Sequence, residues 1–126
     1  MSERSLPAEA VDRFLPLTAR DFHILFVLLD GDRHGYWMVT EIEKQTGGKI
    51  RMEAGNLYRS IRRKIRDGLI AEAERRPAPE SDDERRRYYR ITDLGRRVVA
   101  AEMARMRAVL AAADAKVELH ESEVGA

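Results

Sequence analysis

The stretch from Glu53 to Ile70, EAGNLYRSIRRKIRDGLI, constrains the fold of this chain more than any other. Leu57, Ile61 and Ile65 recur at i, i+4 and i+8, which is the spacing of one helical face. Five cations cover most of the remaining surface: Arg59, Arg62, Arg63, Lys64 and Arg66. A helix of this kind suits a groove lined by phosphates. An ordinary surface helix with a solvated basic face gives the same pattern, so the neighbouring segments must decide.

Charge is distributed unevenly along the 126 residues, whose net charge is only +1. Positions 51–97 hold 13 Arg and 1 Lys against 9 acidic residues, a local net charge of +5, while positions 114–126 hold 1 Lys and 4 acidic residues. The positive charge that could bind a polyanion therefore lies in the middle of the chain. Without cysteine there is no disulfide or thiolate site. No apolar run approaches ~20 residues and no signal-peptide core is present, so we expect a cytoplasmic, nucleoid-associated protein without a membrane span.

Two helices are predicted before the basic stretch. Thr18 and Asp21 form a capping signal ahead of an apolar run that ends near Asp30. This run carries two apolar stripes, so one side could face the domain and the other a partner subunit, or the helix could be buried completely. The first stripe is Phe22, Leu25, Phe26 and Leu29, and the second is Ile24 and Leu28. The next helix, Gly35 to Thr46, ends at a Gly-Gly pair, and a basic helix that follows such a turn is typical of a helix-turn-helix.

A β-hairpin is predicted directly after the basic helix. The run Leu69 to Ala73 and the run Arg86 to Thr92 are its strands, with a polar, Pro-containing loop between them. A hairpin in this place is the wing of a winged helix-turn-helix. Three arginines would reach a phosphate backbone or a minor groove from this wing: Arg85, Arg86 and Arg87. The alternative is that they pair with the acidic residues of the loop, Asp82, Asp83 and Glu84.

The last predicted helix runs from Asp93 to Val117 after a cap at Thr92. Six apolar residues spaced 4, 3, 4, 3 and 4 apart form a heptad seam: Val99, Met103, Met106, Leu110, Ala113 and Val117. At ~1.5 Å per residue the helix is roughly 37 Å long, more than its own small domain can cover. We therefore expect it to form a homodimer interface together with Ile24 and Leu28, although it could instead fold back on its own core.

The predicted fold is mainly helical with a small β-hairpin, an α+β class. Residues 17–92 form the winged helix-turn-helix domain and residues 93–117 the dimerisation helix. Residues 1–16 are expected to be a flexible arm, and residues 118–126 a flexible acidic tail.

Three blocks of the chain resemble the PadR-like family of transcriptional regulators. They are LLDGDRHGY at 28–36, GNLY at 55–58 with DGLI at 67–70, and RRYYRIT at 86–92 followed by Leu94-Gly95. The resemblance implies a winged-helix dimer that represses transcription by binding an operator, and some members release DNA on binding small aromatic or cationic amphiphilic compounds. Asn56 stands where the family usually has Thr or Ser, and Lys64 occupies a position that is usually apolar.

Double-stranded DNA is therefore the expected partner. Asn56 and Arg59 are predicted to contact base edges. The expected phosphate contacts are Tyr36, Tyr58, Arg62, Arg63, Lys64 and the wing arginines. A small aromatic or amphiphilic effector could occupy a dimer-interface cavity lined by the Met residues of the last helix and by Phe22, Phe26, Tyr36 and Trp37, although a plain core gives the same pattern.

A winged helix can serve as a protein-interaction module without specific DNA binding. An enzyme is disfavoured because the three histidines, His23, His34 and His120, have no metal-ligand spacing and there is no phosphate-binding loop. No cofactor or metal is expected.

Overall fold

The computed structural model describes residues 7–73 and 87–125. Its five helices are α1 (Ala8–Asp12), α2 (Ala19–Phe26), α3 (Gly35–Gln45), α4 (Ala54–Arg66) and α5 (Asp93–Gly125). Its three strands are β1 (Arg33–His34), β2 (Ile70–Glu72) and β3 (Tyr88–Ile91). The predicted class, mainly helical with a small antiparallel sheet, is confirmed.

Side-chain caps fix the starts of α2 and α3. The Thr18 hydroxyl oxygen accepts the Asp21 N–H at 3.0 Å, as the capping signal predicts. His34 Nδ1 accepts the Trp37 N–H at 3.2 Å and so fixes the first turn of α3. α2 ends at Phe26, earlier than expected, and residues 27–30 continue as a turn.

The turn between α3 and α4 is the relaxed form of the helix-turn-helix that the sequence predicts. Gly47 and Gly48 adopt φ values of 60° and 81°, a left-handed conformation that residues with a side chain rarely take. The Gly48 N–H donates to the Glu43 carbonyl at 2.8 Å and closes the end of α3. The Thr46 hydroxyl then accepts the Ile50 N–H at 3.0 Å and orders the connector that leads to α4.

The hairpin is part of a three-stranded antiparallel sheet with the order β1-β3-β2. β2 and β3 pair from Ile70 opposite Ile91 to Glu72 opposite Tyr89, which confirms the predicted wing strands. β1 pairs with the other edge of β3 and was not predicted, because two residues are too short to show an alternating pattern.

Thr92 joins the hairpin to the two helices around it. Its hydroxyl donates to the Gly68 carbonyl at 2.6 Å and accepts the Gly95 N–H at 3.0 Å, so the predicted cap of α5 is confirmed. Its backbone N–H donates to the Leu69 carbonyl at 3.0 Å. The end of α4, the hairpin and the start of α5 are therefore held at one residue.

One hydrophobic core underlies these elements. It includes residues from α2, α3, α4, the sheet and the first two turns of α5, among them Ile24, Leu25, Leu28, Met38, Ile42, Leu57, Ile61, Ile70, Ile91, Val98 and Val99.

The structure differs from the expected flexible arm at the N-terminus. α1 contacts α5, and the partly buried Val11, Phe14 and Leu15 pack against the core. The Leu17 N–H donates to Glu102 Oε1 at 3.2 Å, so a backbone hydrogen bond secures the segment as well. The sequence of this arm could not predict its order, because the order comes from contacts with α5, which begins 76 residues after Leu17. Residues 1–6 lie outside the described residues.

α5 is longer than expected and extends to Gly125, so residues 118–125 are helical rather than a flexible tail. Its 33 residues correspond to about 50 Å. Val98, Val99 and Glu102 are buried, whereas the side chains from Arg107 to Ser122 are all exposed. The helix therefore leaves its own domain about a third of the way along.

Gly95 provides a test of the packing between α5 and the hairpin. A Cβ at Gly95 would collide with the Leu69 carbonyl oxygen and lie 2.7 Å from Ile91 Cγ1, whereas a Cβ at Gly55 would have no neighbour within 4 Å. Both glycines lie in first helical turns. We expect Gly55→Ala to stabilise the fold by up to ~1 kcal/mol through helix propensity. Gly95→Ala should destabilise it, because overpacking costs roughly 1–3 kcal/mol. Urea unfolding at one fixed protein concentration measures both, and a stabilised Gly95→Ala variant would contradict the close approach.

Candidate nucleic-acid interface

α4 presents the two predicted base-reading residues together near its N-terminus. Asn56 and Arg59 are both exposed, one helical turn apart. The Arg59 guanidinium donates a hydrogen bond to the Asn56 side-chain oxygen. Each side chain therefore restricts the other, and a base edge would have to replace or share this contact. The N-cap residue Glu53 makes no side-chain hydrogen bond to the first turn of α4.

Further along α4, Arg62 and Arg63 are exposed on the side away from the core. Arg63 Nη2 donates to the hydroxyl oxygen of Ser60 at 3.3 Å. Leu57 and Ile61 are buried on the opposite side, which confirms two of the three residues of the predicted apolar face, whereas the third, Ile65, is 40% exposed. We call Asn56, Arg59, Arg62 and Arg63 the reading face.

The two tyrosines expected at phosphates lie in different surroundings. Tyr36 is 69% exposed at the N-terminus of α3, where a phosphate could reach it. Tyr58 is partly buried and packs against the core. A Cβ at Gly35 would come within 2.5 Å of the Tyr58 hydroxyl, and the Tyr58 ring centroid lies 6.4 Å from that of Tyr89. Tyr58 therefore packs where α3, α4 and β3 meet, and the absence of a side chain at Gly35 leaves room for its ring.

Lys64 is not on the exposed face, and the expectation that it contacts phosphate is wrong for this conformation. It is only 4% exposed, and its Nζ lies 2.6 Å from Asp21 Oδ1. Helical spacing explains its position, because residues 57, 61 and 64 follow one another at i, i+4 and i+7 on the inner side of α4. Asp21 was not predicted as its partner, since no local signal connects residues 43 positions apart.

Only part of the wing lies within the described residues. Arg85 and Arg86 fall outside them, as does their alternative pairing with residues 82–84. Arg87 is exposed and its Nη1 lies 3.0 Å from Glu72 Oε2, an ion pair across the hairpin. Because both side chains are well exposed, this pair is weak and can be exchanged for a phosphate. Arg90 on β3 is a further exposed cation that the sequence analysis did not select.

The residues predicted for the dimer interface divide into two groups. Ile24, Leu28 and Val99 are buried in the core of their own protomer, so the prediction that they form an interface is wrong. Met103 and Met106 are partly buried, and three residues of the seam are exposed: Leu110, Ala113 and Val117. In the other stripe of α2, Leu25 is buried as well, and only Phe26 is exposed. Phe22 is partly buried and Phe26 is 37% exposed, and their rings stack with centroids 5.6 Å apart.

His23 is partly buried on α2, beside two phenylalanines. Its ring meets Phe22 and Phe26 edge-on. Its Nδ1 is buried without a hydrogen-bond partner among the described residues, and desolvation lowers its pKa. The described residues contain no group of three or more His, Asp or Glu able to hold a metal ion. Nor does any helix in this part of the chain have the length and apolar character to cross a membrane.

A cavity of about 290 Å³ lies between α2 and α3. It brings together Phe26 and Trp37, two of the four aromatic residues expected to line an effector site, but not Phe22, Tyr36 or the Met residues of α5. Asp30, Arg33 and Glu41 supply its charges, and the Arg33 guanidinium stacks 4.4 Å from the centre of the Trp37 ring.

This geometry defines a class of protein. A helix-turn-helix whose second helix has a cationic outer face, followed directly by a β-hairpin, is a winged-helix DNA-binding domain. The comparison with known families gives the same result, since residues 24–101 match the model described as "Transcriptional regulator PadR-like family". The match spans more than half of the chain, which therefore belongs to the PadR-like family of transcriptional regulators.

Relatives and solved structures agree with this family. Transcriptional regulator Rv3488 of Mycobacterium tuberculosis is 34% identical over 74 residues, which are 59% of this chain and 63% of that protein, less than two thirds of its length. A PadR family regulator from Eggerthella lenta has a TM-score of 0.59 at 25% identity, with 88% of this chain and 95% of that chain covered. Bacillus subtilis PadR, solved in complex with operator DNA, has a TM-score of 0.58 at 16% identity over 68% of this chain and 47% of that chain, a likeness of fold alone. The protein is a transcriptional regulator with a DNA-binding winged helix and is not an enzyme.

Proposed function

We propose that this regulator is a repressor that binds a roughly palindromic operator as a homodimer. The reading face carries the proposal, because it places two hydrogen-bonding side chains and two further cations on one exposed side of a rigidly packed helix. Two copies of α4 would enter successive major grooves, with half-sites about one helical turn, ~34–36 Å, apart. Occupation of such an operator would block access of the transcription machinery to the promoter.

Contacts to DNA divide into two kinds. Asn56 and Arg59 are proposed to read bases, since Asn pairs with adenine and Arg with guanine in the major groove. Tyr36, Arg62, Arg63 and the wing arginines are proposed to contact phosphates, which supply affinity without sequence preference. In the free protein the hydrogen bond between Asn56 and Arg59 pre-orients both readers. Their contributions to binding should therefore be coupled.

A protein-interaction module is the competing function. Selection of binding sites from random DNA, followed by titration of the selected site and a scrambled site at physiological salt, separates the two. Recovery of a palindromic site that binds at least ~1,000-fold more tightly than scrambled DNA supports the repressor. Weak retention of all sequences alike would support the module.

Arg63→Ala tests the phosphate contacts. We expect weaker binding to operator and scrambled DNA alike, because a phosphate contact carries no sequence information. The slope of log K against log salt should fall in magnitude by about 1.8 per dimer, since each of two copies releases one contact. Arg59→Ala is the matched control, for which discrimination at one base pair should fall by ~1–3 kcal/mol. An unchanged slope would remove Arg63 from the phosphate contacts.

The homodimer is proposed from the outer half of α5. Met106, Leu110, Ala113 and Val117 continue the heptad seam beyond the protomer core, and Leu110 is 62% exposed. An apolar seam of this length in water favours a second helix against it. The partly exposed Phe26 of α2 adds apolar surface that a partner could cover.

Leu110→Glu tests this interface. Each Leu buried on association contributes ~1.5–3 kcal/mol, so loss of two copies should weaken dimerisation by at least ~100-fold. Ala112→Glu is the matched control, because Ala112 is also exposed but lies on the opposite side of the helix from Leu110. Sedimentation velocity over a concentration series measures both. Equal dissociation constants for the two variants would exclude the seam as the interface.

We also propose that the cavity between α2 and α3 accepts a small aromatic cation as an effector. Trp37 and Phe26 supply aromatic walls, and Asp30 and Glu41 outnumber the one cation, Arg33. An ammonium group over the Trp37 ring would gain a cation–π contact in place of Arg33.

Trp37 is the single tryptophan of the chain, so its fluorescence reports on the cavity directly. We expect benzyltrimethylammonium to change the emission in a saturable manner, and benzoate, with the opposite charge, to have little effect. Glu41→Gln should weaken the response to the cation by removing one negative charge from the cavity. A response that is linear in concentration, or equal for both compounds, would argue against a site.

A further inference from the structure

The ion pair between Lys64 and Asp21 joins α4, which carries the reading face, to α2. Lys64 Nζ lies 2.6 Å from Asp21 Oδ1, and the side chains are 5% and 29% exposed. Within the described residues it is the polar side-chain contact between α4 and α2.

A buried lysine of this kind constrains geometry strongly. An ammonium removed from water is stable only when its partner stays within hydrogen-bonding distance, so the pair resists sliding or rotation of α4. Leu57 and Ile61, which precede Lys64 on the same side of α4, make apolar contacts that tolerate small shifts. The charged contact restricts such shifts more strongly, because separation would leave the buried ammonium without its partner.

Asp21 is itself held in place. Its N–H donates to the Thr18 hydroxyl at 3.0 Å, and it lies in the first turn of α2, where the helix dipole favours a carboxylate. α2 in turn contacts α5. The Arg96 Nη2 on α5 donates to the Leu29 carbonyl in the turn after α2, at 3.3 Å. The pair thus ties α4 to the α2–α5 unit from which the proposed dimer is built.

We propose that Lys64 and Asp21 are positioning residues for sequence recognition, a role that rests on the proposed operator binding. They fix the C-terminal half of α4 on α2 and so set the orientation in which the reading face meets the major groove. Lys64 itself makes no contact with DNA. Non-specific binding needs only the cations of the reading face, whereas base reading needs Asn56 and Arg59 in register in both half-sites.

Lys64→Met is the test, because methionine fills similar space without charge. Arg66→Met is the matched control, since it removes the same charge from an exposed position two residues away. Each variant is titrated with the selected operator and with scrambled DNA over a salt series, well below its unfolding temperature. For Lys64→Met we expect the ratio of operator to scrambled affinity to fall about tenfold, equivalent to 1.4 kcal/mol of discrimination, with an unchanged salt slope. Arg66→Met should leave the ratio unchanged.

A merely structural role would not give this result. A smaller folded fraction lowers binding to both DNAs by the same factor and leaves the ratio constant. A Lys64→Met protein whose ratio equals that of wild type therefore overturns the proposal, as does a salt slope reduced like that of Arg63→Ala, which would make Lys64 a phosphate contact.

Variants at position 21 complete the experiment. Asp21→Glu retains a carboxylate and should keep the ratio within about threefold of wild type, while Asp21→Asn, which leaves the Lys64 charge without its partner, should lower it. The Asp21→Asn, Lys64→Met double variant should lose no more discrimination than the worse single variant, because both changes remove one interaction. Additive losses would contradict the proposal that Lys64 and Asp21 act through one interaction.

If wild type shows no preference for any DNA sequence, the proposed operator binding itself fails. If wild type is selective and the variants are equally selective, only the positioning role fails.

Discussion

The burial of one side of α4 is the constraint on which the rest of this structure depends. Leu57 and Ile61 are almost completely inaccessible, and with them in the core the arginines can only lie outside. A helix of 13 residues is marginal in water on its own, so packing rather than propensity holds it. The surface proposed to read DNA therefore faces outward because hydrophobic contacts hold the opposite side of the helix in the core.

Local signals in the sequence were sufficient for most of the fold. Thr18 and Thr92 are caps because a hydroxyl before a helical run can accept a free N–H, and this depends on neighbours three residues away. The paired glycines after α3 and the hairpin after α4 follow from equally local chemistry. β1 escaped prediction because its order comes from pairing with β3, more than 50 residues later, and not from its own two residues.

The wrong predictions for the dimer interface and for Lys64 share a physical cause. Periodicity shows that one side of a helix is apolar, but not which part of the molecule covers it. Ile24, Leu28 and Val99 are predicted at an interface but lie in the protomer core, while Phe26 on the neighbouring stripe is exposed. The charge of Lys64 suggested a surface position, yet its place in the helical repeat is internal. The sequence around Lys64 does not show that Asp21, 43 residues earlier, supplies the negative charge that stabilises the buried ammonium.

The heptad repeat of α5 runs from the protomer core into solvent, and a cluster of polar side chains lies where the helix leaves the core. Glu102 is buried, and its carboxylate accepts the Leu17 N–H and two hydrogen bonds from Arg105, at 3.0 and 2.6 Å. The Arg105 guanidinium is the main reason that the pKa of Glu102 lies below its usual range, so this carboxylate stays ionised at neutral pH. Before this cluster the seam residue Val99 is buried in its own core, and after it Leu110 and Val117 are open to solvent. Because the spacing does not change across the boundary, the same heptad pattern stabilises the protomer in one half and is free for association in the other.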